Sequence, residues 1–229
     1  MTKNRCRFLV FTLEQNLDQM ADTFNSHQFS EQDLVGVNTE SLTHSEMTIK
    51  YIEKKTIYDQ VQYPNGETET IERFTYIYSD ICIKKIVGSY YLFHIINPPS
   101  SIKSFVGFIV RIFPSISLEK FTFSLRKFRS QLVKNWRAKN CRVTRLNASS
   151  IPFTDKSVAK VEIFSEIDAY KEFKKIYSEK SIRLDRLVFS VFAGQRHMEL
   201  TASSTGLISY DKNLDEASVV ESFLESITY

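Results

Sequence analysis

The richest chemistry in this 229-residue sequence lies in Arg126–Asn140 (RKFRSQLVKNWRAKN) and its surroundings. Wound as a helix, Phe128, Leu132, Val133 and Trp136 fall on one arc, and Arg126, Lys127, Lys134 and Arg137 on roughly the opposite one. Arg129 and Lys139 fall inside the apolar arc, where aliphatic stems can cover apolar surface while the charges reach water. Arg142 and Arg145 follow on a predicted strand, and Arg111 and Lys120 precede the helix. Cations gathered in this way attract phosphates or carboxylates, and each neutralised phosphate releases a counterion. The plain alternative is a solvated amphipathic helix whose charges are answered by acidic flanks.

The charge distribution sharpens that choice. The chain carries 30 Lys and Arg against 27 Asp and Glu, a net +3. Residues 1–110 hold 10 basic and 13 acidic side chains, residues 111–145 hold 10 and 1, and residues 146–229 hold 10 and 13. An excess of +9 therefore sits between two stretches of −3 each. The predicted anion-binding residues are Arg126, Lys127, Lys134, Arg137, Arg142 and Arg145, and the predicted partner is a nucleic acid or an acidic protein surface. The helix-turn-helix, zinc-finger and basic-zipper patterns are missing from the sequence, which argues against sequence-specific DNA reading.

Other spacings have simpler explanations. Glu53-Lys54-Lys55 contains a Glu-x-Lys that could form half of a metal-dependent nuclease site. That chemistry also needs a second acid brought close by strand geometry, and Asp33 upstream lies in an irregular stretch. Ser100-Ser101-Ile102-Lys103 has the Ser-x-x-Lys spacing but lacks the companion triplets of that chemistry. It reads as a helix cap at Ser100, whose exposed amides could meet an anion. His94, inside an apolar run, reads as a hydrogen-bonded structural histidine, and His197 stands beside Arg196 and near Glu199. Glu162, Glu166 and Asp168 fall around a strand end and a helix start, where carboxylates suit the helix dipole.

Cys6, Cys82 and Cys141 are far apart, and no Cys/His cluster has zinc spacing. The expectation is packed thiols in a reducing, cytoplasmic setting, with no cofactor, no metal and no membrane partner. The most apolar run, Ile102–Phe113, includes Lys103 and Arg111 and falls short of the ~20 residues a bilayer span requires.

The elements that must position these groups follow from periodicity. A strand at Arg7–Thr12 precedes a helical stripe through Leu13, Leu17, Met20, Ala21 and Phe24, and residues 25–45 read as a loop. Short alternating runs then predict a meander of four or five strands between Met47 and Ile96, with Asn65-Gly66 as a type I′ hairpin turn. A helix covers 102–113 and ends at Pro114. Strand 118–125, helix 126–140, strands 142–146 and 158–164, and a helix at 167–178 come next, with Ile167 and Ile176 on its inward side. A second meander, 184–210, leads to a helix capped by Asp215.

The links within each meander are too short for crossovers, so the fold class is α+β, with antiparallel sheets and helices packed on one face. Two similar-sized lobes, 1–113 and 114–229, are expected, with a single continuous sheet as the rival. The leading functional expectation is a non-enzymatic binding or assembly module. The alternatives are a structural subunit or oligomer acting through an aromatic interface, and a divergent nuclease around Glu53 and Lys55.

Overall fold

The computed structural model describes residues 3–119, 122–135, 141–154, 156–177, 182–193 and 196–228. The chain is mixed α+β and mostly antiparallel sheet. Its internal contacts define two compact units, Phe8–Glu119 and Met1–Arg7 with Lys120–Tyr229.

In the unit Phe8–Glu119, β1 (Lys3–Thr12) supplies Phe8–Thr12 and leads to α1 (Leu17–Asn25). A capping box opens this helix: Asn16 Oδ1 accepts from the Gln19 amide at 2.9 Å, and Gln19 Oε1 accepts from the Asn16 amide at 3.0 Å. The stretch read as a loop contains a strand, β2 (Val35–Leu42). Most of its later side chains face solvent, so no apolar alternation marks it, and its pairing with β3 (Glu46–Gln62) defines it instead. Gly36 allows the close approach there, because a Cβ would lie 2.4 Å from the Phe29 backbone.

β3 and β4 (Thr68–Val87) each merge two predicted strands into one, paired from Glu46 opposite Lys84 to Gln62 opposite Thr68. Their turn is wider than the expected type I′. Only Gly66 has positive φ (+87°), and the Tyr63 amide reaches the Glu67 carbonyl at 2.8 Å. β5 (Tyr90–Ile96), α2 (Lys103–Ile112) and β6 (Ser117–Glu119) complete the unit. The N-cap of α2 is Ile102 and makes no side-chain cap, whereas Ser100 was the expected one; Ser101 Oγ accepts from the Lys103 amide at 3.3 Å. The strand order is β2-β3-β4-β5-β1, with β6 on β1. One core joins alternate β3 residues Met47, Ile49 and Tyr51 to Phe24 of α1 and Phe105 and Phe108 of α2.

The second unit begins with Lys3–Arg7 of β1 and resumes at β7 (Thr122–Phe123) and α3 (Leu125–Asn135). The predicted strand 118–125 stops short of Leu125, because Ser124 Oγ accepts from the Lys127 amide at 3.2 Å and a helix starts there. β8 (Cys141–Thr154), β9 (Ser157–Phe164), α4 (Ala169–Ile176), β10 (Arg183–Ala193), β11 (Arg196–Ser203), β12 (Leu207–Asp211), α5 (Glu216–Leu224) and β13 (Ile227–Thr228) follow. The main sheet runs β1-β12-β11-β10-β8-β9, and β13 pairs with β7. α4 is shorter than predicted: it buries Ala169, Tyr170 and Phe173, while Ile167 and Ile176 are exposed. Among the described residues, no helix is long and apolar enough to cross a membrane.

Candidate anion-binding surface

α3 places its apolar arc as its spacing requires, with Leu125, Phe128 and Leu132 buried. Phe128 meets Phe189 of β10 at 6.0 Å between ring centroids, and Phe123 links it to Phe223 of α5. Lys127 and Lys134, seven residues apart and so on one helical face, are exposed. Arg126 is half-buried and donates through Nη2 to the Ile182 carbonyl at 3.0 Å. Arg129, the basic residue inside the apolar arc, pairs with buried Asp168 at 3.3 Å and lies 4.7 Å over the Tyr170 ring. Asp168 also caps α4, accepting from the Lys171 amide at 2.9 Å. Arg129 therefore ties α3 to α4. Arg137 lies outside the described residues.

The two arginines of β8 take a different side of the sheet. Residues opposite one another on paired strands share a face, and successive residues alternate. Val143 is opposite Phe189, on the face that receives α3. Arg142 is opposite Ser190 and Arg145 opposite Val188, and a bulge at Thr144 lets these two residues, three apart, project together from the other face. There Arg142 Nη1 donates to the Glu166 carbonyl, and its guanidinium lies 5.9 Å from the Phe192 ring. Arg145 pairs with Glu162 at 3.4 Å and lies 4.3 Å from the Phe164 ring. The sheet thus brings Arg142 and Arg145 together and separates them from Lys127 and Lys134.

Register extends this face across the sheet. Arg5, Ser209, Thr201, Val188, Arg145 and Phe164 form one cross-strand row from β1 to β9. A neighbouring row sets Arg142 beside Ser190 and Glu199, and Glu199 pairs with Lys3. Arg186, opposite Asn147 and Ser203, adds an exposed cation to the same face. Two partly exposed rings stand among these charges, Phe164 at 61% and Phe192 at 37% exposure. The arrangement can hold anions electrostatically and present flat apolar faces beside them.

The chain matches no protein-family model and no curated protein.

Sequence reasoning missed Lys3, Arg5 and Arg186 as members of this face. The alternation Lys3-x-Arg5 is a strand signal that could have found the first two, but nothing local connects them to Arg145. It also missed the contact between His197 Nε2 and Ser190 Oγ at 2.8 Å across the β10–β11 hairpin. Ser190 is 2% exposed, so its hydroxyl serves as a structural partner of the imidazole.

The remaining sequence candidates are engaged elsewhere. Glu53 is buried, accepts from Ser104 Oγ at 2.9 Å and pairs with Lys55 at 3.4 Å. Asp33 accepts from Ser30 Oγ at 2.5 Å. Among the described residues, no group of three or more His, Cys, Asp or Glu is placed to hold a metal ion. His94 is buried and stacks on Phe8 at 4.7 Å. Burial pushes the Cys141 thiol up to about 11 and raises those of Cys6 and Cys82 as well.

Proposed function

We propose that the chain is a non-enzymatic binding module that takes a single-stranded nucleic acid across the Arg142–Arg145 face of the second unit's sheet. One observation carries the reading: two guanidinium groups, each over a phenylalanine ring, stand on a sheet face opposite the one that receives α3. Phosphates would pair with Arg5, Arg142, Arg145 and Arg186, and unstacked bases would lie against Phe164 and Phe192. A double helix keeps its bases stacked away from such rings, so a single strand fits better. Lys127 and Lys134 would contribute only long-range attraction, because α3 packs on the other face.

The wider picture is part of the same proposal. The contacts of α3 with β10, α4 and α5 support a helical layer on one face of the second sheet, and the shared core of α1 and α2 supports the same for the first. The two units support reading the chain as two lobes. Three free thiols support a reducing, cytoplasmic setting. A second reading, a complex subunit joined through an aromatic interface, draws on exposed Tyr58, Phe74 and Tyr78 of the β3–β4 hairpin.

Fluorescence anisotropy with a labelled single-stranded oligonucleotide separates these readings. R142E/R145E should weaken binding by about tenfold or more, whereas K127E/K134E should change it by only about two- to threefold. F164A should lose the equivalent of about 1–3 kcal/mol of stacking. Wild-type protein that ignores the oligonucleotide even at low salt would contradict the single-strand reading and leave the aromatic interface.

A further inference from the structure

Beyond Glu53 the β3–β4 hairpin leaves its sheet. The last β2 rung sets Val35 opposite Glu53, the Lys54 amide reaches the Leu34 carbonyl at 2.8 Å, and β5 joins β4 only from Asp80 opposite Ile96. The rungs from Lys55 opposite Thr75 to Gln62 opposite Thr68 therefore form a two-stranded ribbon. Among the described residues, no strand pairs with either of its edges. Two-stranded ribbons are marginal in water, and an unpaired edge is a template for another strand. Ile57 and Ile71 on one side, and Tyr58 and Phe74 on the other, are exposed.

The edge chemistry selects the occupant. The Lys54 amide points toward β2, so by alternation the backbone groups of Thr56, Tyr58 and Gln60 point outward along the free edge, and those of Lys55, Ile57 and Asp59 point to β4. We propose that the β3 edges of two copies of this chain pair antiparallel about a twofold axis through Ile57. In that register Ile57 meets Ile57 of the second copy as a close, non-hydrogen-bonded pair, and Thr56 and Tyr58 exchange backbone hydrogen bonds. Lys55 of each copy then faces Asp59 of the other. Asp59 already pairs with Arg73 of its own chain, so each carboxylate is flanked by two cations. The β4 edge offers a similar register, a twofold at Ile71 that sets Glu69 against Arg73, but Lys55 and Asp59 face each other only across the β3 edge, so substitutions there separate the two. This pairing does not depend on the nucleic-acid reading, which concerns a different unit.

Sedimentation velocity of the full chain between about 1 and about 100 μM tests it. The wild type should dimerise in that range, and K55E and D59K alone should each weaken the dimer by about tenfold or more. Mixing K55E with D59K should restore association, because only the mixture sets opposite charges at both contacts. Y58P removes an outward amide that the ribbon itself does not use, so it should yield a monomer with an unchanged far-UV spectrum. A wild type that stays monomeric throughout, or a mixture that associates no better than its components, overturns the proposal.

Discussion

Arg129 and Arg145 lie in the same basic segment, yet their surroundings give them opposite uses. Arg129 is mostly enclosed, with a buried carboxylate on one side and a tyrosine ring beneath. Removing one partner of such a pair leaves the other charge buried, so this arginine serves folding. Arg145 keeps 41% of its side chain exposed beside a surface phenylalanine, and it can exchange Glu162 for another anion. The sequence already singled out Arg129, by placing a charge inside an apolar arc. Its partner was illegible, because Asp168 is 39 residues away and no local pattern joins them. Cys141 shows the same dependence on burial. With its thiol near 11, almost none is thiolate at neutral pH, so alkylation in the native protein should be roughly two orders of magnitude slower than in denaturant. Mass spectrometry of the modified peptide checks this, and equal rates in the two states would contradict it.

At the scale of elements, the helices were the most legible because a stripe of apolar residues survives any tertiary arrangement. Strands were legible only where one side is buried. β2 was missed because it packs by backbone pairing at an edge, and the long hairpin was split because its outer half buries neither side fully. Caps were readable where the N-cap side chain closes the turn, as at Asp215, and misread at Ser100, where the N-cap is the apolar Ile102 and Ser101 Oγ accepts from the first helical amide. Asp215 accepts from the Ser218 amide at 3.1 Å and from its hydroxyl at 2.5 Å, which holds its carboxyl below the usual range. A depressed carboxylate adds stability above its unfolded value of about 3.9, and loses it as pH falls through the folded value. D215A should therefore cost about 1 kcal/mol at neutral pH, and the gap from wild type should narrow below pH ~4. Denaturant midpoints across that range test the sign; a gap that widens in acid would contradict it.

For the whole molecule, the +9 excess of residues 111–145 is divided by the fold among several tasks. Arg126 and Arg129 hold α3 against its neighbours, Lys127 and Lys134 face solvent, and Arg142 and Arg145 join Lys3, Arg5 and Arg186 from other strands on a sheet face. Counting charge along the chain could locate the excess. It could not show this division, because facing depends on strand register, which for β8 and β10 is set by residues 34 to 50 positions apart. In the proposed binding mode this assembled face, and not the helix, takes the single strand. The salt dependence of oligonucleotide binding tests it most directly. If Arg5, Arg142, Arg145 and Arg186 each neutralise a phosphate, log K should fall with log salt at a slope of about −3, or ~50-fold between 50 and 200 mM. R142E/R145E should at least halve that slope while K127E/K134E leaves it nearly intact. A slope near zero, or one abolished only by the α3 substitutions, would contradict the account.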